Sequence, residues 1–320
     1  MGSAYAAQMK AALIAGGVDP SRVIDLAHDV PAHGISEGAF LLREMARLFP
    51  PASVHVAVVD PGVGGTRSPI VIETRAGPFL VGPDNGVLMP LGEELGIRGT
   101  YRIERSRLSA RPRVGTTFDG RDIFAPAAAR LATGTRPADL GTAWTPKSFT
   151  LPVPSRRGPE ARGVVAHVDR FGNLITNLPT SWFPHPGPSV RLRVGRARVR
   201  SVPWVTSYES LDPRTLGALG SSFGLVELAV REGRAEHEVG RLVERVPHLE
   251  ERVRVPQAQH DVERLFEGPR PPFAQLVREV PGVPGPRERP SALVHATSTV
   301  GRYIRLWGAR KASSPRTKGC

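Results

Sequence analysis

Cysteine occurs once in the 320 residues, at the final position, Cys320. A single thiol excludes an intrachain disulfide and any thiolate metal cluster. Lysine is almost as scarce, with Lys10, Lys147, Lys311 and Lys318 the whole set. Aromatic residues make up 6%, too few and too scattered for the interleaved aromatic and basic side chains of a nucleic-acid groove. No apolar run approaches the roughly 18–20 residues that a membrane-spanning helix needs. The opening MGSAYAAQMKAALIAGG lacks the basic start and cleavage pattern of a signal peptide. These absences lead to the expectation of a cytoplasmic protein with no membrane partner.

What is present is arginine. The formal net charge is +13, and Arg carries nearly all of its positive side. From His248 to the end there are 13 Lys and Arg against 7 Asp and Glu, so the last 73 residues hold +6 of that excess. The remaining +7 is spread over 247 residues. Arg, Pro, Gly and Ala are inflated together, the bias of a GC-rich coding sequence, and nucleic acid stays a minor hypothesis. Hydrophobic residues are 40% and charged residues 23%, enough to pack the core of one large domain or two smaller ones.

The first 150 residues alternate helix and strand. AYAAQMKAALIAG and SEGAFLLREMARLF carry helical periodicity, and DIFAPAAARLATG ends at Gly134. SRVIDL, SVHVAVV, SPIVIET and GPFLVG read as strands, the last running into the turn PDNG. The alternation predicts an N-terminal α/β domain with a parallel-rich central sheet over residues 1–150. LPVPSRRGPEARG supplies a linker at 151–162. Residues 163–247 change to short strands (GVVAHVDR, SVRLRVG, ARVRSV, GLVELAV) and predict a smaller β-barrel domain. Residues 248–320, with GPRPPF and PGVPGPRERP, read as a poorly structured basic tail.

Three segments hold residues fit for chemistry. Asp60-Pro61-Gly62-Val63-Gly64-Gly65-Thr66-Arg67 follows a buried strand, where open α/β sheets bind ligands. Asp60 and Arg67 can fold back to face one another, although a surface ion pair would show the same spacing. Phe118-Asp119-Gly120-Arg121-Asp122 precedes a helix, so its carboxylates also fit simple dipole partners. Asp169-Arg170-Phe171-Gly172-Asn173 follows a strand and also fits a plain tight turn. The histidines show no HxxxH or HExxH spacing, so no metal site is expected. GxSxG and GxGxxG are both missing.

Taken in order, VIDLAHDVPAHGISEGAFLL, VHVAVVDPGVGGTRSPIVIE, FLVGPDNGVL, TFDGRDIFAPAAARLATG, VDRFGNLITNLP and SSFGLVELAV resemble the S-adenosyl-L-methionine (SAM) hydroxide adenosyltransferases. These are the hydrolytic relatives of the SAM-dependent chlorinase and fluorinase. The resemblance implies a metal-independent hydrolase that turns SAM into adenosine and L-methionine. SAM is then the substrate and no cofactor is expected. It also implies a homotrimer, each site lying between the N-terminal domain of one subunit and the C-terminal domain of the next. The family's Asp and Arg fall on Asp60 and Arg67. On the C-terminal side Asp169, Phe171 and Asn173 match the segment that holds the methionine amino group and the adenine. Ser222, Glu227 and Val230 match the segment completing the pocket, and His33 stands where the halogenases line it with an aromatic residue.

Two departures qualify what the resemblance implies. The family's third catalytic residue is a histidine in TFHGRD, and Asp119 occupies its place here. Two close carboxylates tend to share one proton, so the expectation is either a coupled Asp60–Asp119 base or a catalytically impaired protein that binds SAM or adenosine. The family also opens with a strand ending in a TDFG-like turn that holds the ribose. This chain begins just after it, so that strand and ligand are expected to be missing.

Overall fold

The computed structural model describes residues 4–108, 115–195, 199–244 and 303–308. Their elements belong to one compact unit, Met1–Arg245 with Gly301–Cys320. Two helices come first, α1 (Ala4–Ala15) and α2 (Ile35–Ala46). Between them residues 23–30, including most of SRVIDL, run outside any ladder, and Leu26 packs against a core instead.

A five-stranded sheet contains β1 (Val54–Val56), β2 (Pro69–Thr74), β3 (Phe79–Pro83), β4 (Ile97–Ile103) and β5 (Gly141–Ala143). Their spatial order is β1-β3-β2-β4-β5. Successive side chains of a strand point to opposite faces, and both faces of this sheet are covered. Ile70, Ile72 and Leu80 pack with Ala39 and Leu42 of α2. Val71 and Val81 face the other way, toward Ala127, Ala128 and Leu131 of α3 (Ala125–Ala132). The α/β class is as expected, but the sheet is mixed rather than parallel-rich. β1 pairs with β3 in parallel, and the other three pairings are antiparallel. Only residues 75–78 separate β2 from β3, and a parallel return needs a crossover of a dozen residues or more.

The second sheet is antiparallel throughout. It comprises β6 (Ser155–Arg157), β7 (Glu160–Val168), β8 (Leu174–Pro179), β9 (Ser189–Val194), β10 (Arg200–Pro203), β11 (Leu216–Gly220), β12 (Leu225–Val230) and β13 (Tyr303–Gly308). The order is β10-β9-β13-β7-β8-β12-β11, with β6 also on β7. The edge strands β10 and β11 touch at an isolated bridge, Trp204 to Ala218, rather than along a ladder. Among the described residues the expected barrel is therefore not closed. Just past β10 the Trp204 N–H donates back to the Pro188 carbonyl, and the Val205 N–H donates to the Ala218 carbonyl.

One correction falls at the C-terminus. Tyr303–Gly308 lies within the stretch expected to be an unstructured tail, yet it pairs with β7 on one side and β9 on the other. The period-2 pattern of YIRLWG was there to be read: Ile304 and Leu306 are fully buried in the core of this sheet. The rest of that stretch, 248–302 and 309–320, lies outside the described residues. Among the described residues, no helix is long and apolar enough to cross a membrane.

Candidate functional site

The loop from Asp60 to Arg67 leaves the carboxyl end of β1 and returns as β2. Because β3 lies between those two strands, the loop has to straddle the end of β3. Pro61 to Thr66 are exposed, whereas the charged side chains at the two ends turn inward, Asp60 at 5% and Arg67 at 8% side-chain exposure. Gly64 adopts φ +75, and a Cβ there would meet the carbonyl oxygen of Thr116 at 2.7 Å. Glycine is thus required where the loop approaches the segment carrying Asp119.

Arg67 joins two other charged residues named from the sequence, Asp60 and Asp119. Its Nε donates to Asp60 Oδ1 at 3.0 Å and Oδ2 at 2.9 Å, and its Nη2 also donates to Asp60 Oδ2. The same Nη2 donates to Asp119 Oδ2 at 2.5 Å. The guanidinium carbon sits 5.4 Å from the centre of the Phe124 ring. Burial works against the charged form of Arg67, but the hydrogen bonds and charges of Asp60 and Asp119 outweigh it and hold its pKa above the ordinary value. Fifty-two residues of sequence separate Arg67 from Asp119. Asp119 is buried at the start of a π-helical turn, Gly120–Phe124, and makes no side-chain capping bond to it. The reading of Asp119 as a helix cap is therefore set aside in favour of its bond to Arg67. Asp122 of the same motif pairs instead with Arg121.

The turn at the end of β3 lies beneath that loop. Asn85 Nδ2 donates to the Val59 carbonyl at 2.8 Å, and Asn85 Oδ1 accepts from the Val87 N–H at 3.2 Å. The Asp84 N–H donates to the Ser68 carbonyl at 2.8 Å. The buried Asp84 carboxylate accepts from Trp144 Nε1 at 2.9 Å and from the Lys147 N–H at 2.8 Å.

A second cluster stands on the other sheet, at the turn between β7 and β8. Asp169 Oδ1 accepts from the N–H groups of Phe171 (2.8 Å) and Asn173 (2.9 Å), and Oδ2 accepts from Asn173 Nδ2 at 3.0 Å. Glu227 of β12 is 3% exposed and accepts a 2.7 Å bond from Tyr208 Oη. Burial, with the negative charge of Asp169, pushes the Glu227 carboxyl up against the opposing effect of the Tyr208 bond. Burial and then Glu227 push the Tyr208 hydroxyl up as well. Sequence reasoning missed Tyr208, a lone tyrosine with no spacing to mark it.

The remaining candidates are more dispersed. Phe171 is 60% exposed, and the Arg170 guanidinium lies 4.7 Å from its ring centre. Val230 is half-buried against the core of the second sheet. Ser222 is exposed, as is His33, which holds a left-handed φ of 66. No group of three or more His, Cys, Asp or Glu able to hold a metal occurs among the described residues.

Comparison with known proteins shows the family. The model of the SAM hydroxide adenosyltransferase N-terminal domain matches residues 1–141, and that of the C-terminal domain matches 163–244. The chain belongs to the SAM hydroxide adenosyltransferase family. It is 41% identical over 234 residues to the (R)-S-adenosyl-L-methionine hydrolase of Salinispora tropica, covering 69% of this chain and 83% of that protein. It is 35% identical over 248 residues to the (R)-S-adenosyl-L-methionine hydrolase of Thermus thermophilus, covering 74% and 90%. Among solved structures, an uncharacterized conserved protein from Thermotoga maritima superposes with a TM-score of 0.67 at 32% identity, covering 74% of this chain and 92% of that one.

Proposed function

We propose that this family member hydrolyses SAM to adenosine and L-methionine by attack of water at C5′. The observation that carries the reading is the Asp60–Arg67–Asp119 cluster at the carboxyl end of β1. The sulfonium of SAM leaves as a neutral thioether, so the reaction needs an oriented water more than an activated leaving group. A water oxygen forms the new bond to C5′ while the C5′–S bond breaks and its electron pair returns to sulfur. The proton that water sheds passes to a carboxylate of the cluster, with Asp60 as the assigned base. Arg67, fixed by both carboxylates, faces the hydroxide-like charge as it builds. Asp169, Asn173 and Glu227, with Phe171, Ser222, Val230 and His33, are assigned to the substrate side of the site. The proposal extends to a homotrimer with each site shared between neighbouring subunits, a reading supported by the family resemblance, and light scattering tests it. A cytoplasmic location is part of the same reading, supported by the lone thiol at Cys320.

The deciding experiment incubates the purified protein with SAM and a chelator and separates the products by chromatography. Adenosine and methionine in equal amounts are expected. SAM binding by calorimetry without adenosine formation would overturn catalysis and leave the second reading, a SAM- or adenosine-binding protein, which the aspartate in place of histidine favours. Asp119→His separates the two: a catalytic cluster with the family histidine should gain turnover near neutral pH, whereas a site that only binds should gain none.

A further inference from the structure

We infer that Asn85 is a positioning residue that sets the geometry of the Asp60–Arg67 loop; the inference rests on the reading of that loop as the reactive half of a SAM-hydrolysing site. The argument starts from strand order. A loop joining β1 to β2 across the end of β3 has no ladder of its own to fix it, because its two feet stand on strands that do not pair with each other. The turn that continues β3 grips both feet. Asp84 takes the Ser68 carbonyl, one residue after Arg67, through its N–H, and Asn85 takes the Val59 carbonyl, one residue before Asp60, through its side-chain amide.

The first grip simply extends the β2–β3 ladder, since Pro69 pairs with Pro83, and any residue at 84 with a backbone N–H would make it. The second is specific to a side chain with both a donor and an acceptor, because Asn85 Oδ1 is itself held by the Val87 N–H. Gly86 completes the turn at φ +101, where a Cβ would lie 2.5 Å from Phe149. The turn is thus fixed from its far side while it holds the loop from below. A reacting water must meet both a carboxylate and C5′ in line, and misplacement by about 1 Å is enough to cost on the order of 10²-fold.

Asn85→Asp is the sharpest test. It keeps the side-chain size and the acceptor for Val87, and turns the donor toward Val59 into an acceptor. Three measurements are made on wild type and variant: melting temperature, hydrogen exchange of the peptide spanning residues 59–68, and the kinetics of SAM turnover. The expected result is faster exchange across 59–68 without global unfolding, with kcat lowered by about 10–10²-fold and KM for SAM nearly unchanged. A purely structural role would instead lower the melting temperature and leave the kcat of the folded fraction intact, which overturns the inference. Unchanged exchange at 59–68 overturns it too, whatever happens to turnover, as does faster exchange with wild-type kcat. Faster exchange in the variant combined with no adenosine even from wild type would refute the hydrolase reading and, with it, the catalytic meaning of the clamp.

Discussion

The two clusters carry similar residues and use them in opposite ways. On the first sheet, two buried carboxylates share one guanidinium, and the loop between Asp60 and Arg67 lies exposed above them. On the second, the Asp169 carboxylate accepts from the Phe171 and Asn173 amides and the Asn173 side chain, so it shapes the turn that bears it. Glu227 instead accepts from the Tyr208 phenol, and the negative charge of Asp169 adds to the effect of its burial. Under the proposed function this is a division of labour, with proton movement assigned to the cross-braced cluster and substrate holding to the self-bonded turn. A carboxylate is identified by its partners, not by its presence.

The largest effects should separate the two regions by kinetic parameter. Asp60→Ala is expected to lower kcat for SAM by about 10²–10⁴-fold, the usual worth of general-base assistance, with KM changed little. Asp169→Ala should act the other way, raising KM through a loosened turn and lowering kcat less. Steady-state kinetics on both variants checks this. Equal kcat losses at constant KM would erase the distinction between the clusters.

A second contrast lies in how each region is supported. The first cluster rests on a loop clamped from below, and the second on a strand, β7, whose neighbour β13 comes from the far end of the chain. Leu306 of β13 is fully buried among Leu192, Val194 and Ala161. Leu306→Ala is expected to cost about 2–5 kcal/mol in urea unfolding, the range for core Leu truncations. A cost below about 0.5 kcal/mol, typical of a surface change, would mean that the strand adds nothing to this sheet.

These contrasts also mark what the sequence made legible. Short apolar runs such as PIVIET and LVELAV became β2 and β12, and the helical face of residues 35–46 packs as its spacing implied. Proximity of Asp60 and Arg67 followed from a short Gly-rich loop. Their junction with Asp119 did not, because chain spacing says nothing about a partner 52 residues away; only the family motifs linked them. PDNG was legible as a turn but not as a clamp, since its hold on Val59 and Ser68 depends on β3 lying between β1 and β2. The parallel-rich sheet was misjudged because helix–strand alternation outweighed the short β2–β3 connection. β13 was passed over because six alternating residues were set within a Pro- and Arg-rich context.

The smallest predicted effect concerns the buried carboxyl of Glu227, which accepts from Tyr208. Its carboxyl is raised first by burial and then by the charge of Asp169, only partly offset by the Tyr208 hydroxyl. The folded protein therefore binds this proton more tightly than the unfolded chain does. Stability from this group is fully present below the unfolded glutamate value of about 4.3 and is lost as pH rises through the folded value. Glu227→Gln keeps an acceptor for Tyr208 and carries no charge at any pH. Its stability relative to wild type should thus be lowest near pH 4 and rise toward neutrality. Thermal unfolding of both proteins from pH 4 to pH 8 reads the difference directly. In the first cluster the guanidinium of Arg67 compensates the carboxylates, so a curve for Glu227→Gln that runs parallel to wild type would mean that Glu227 is compensated as well, and the contrast between the two regions would lose its electrostatic basis.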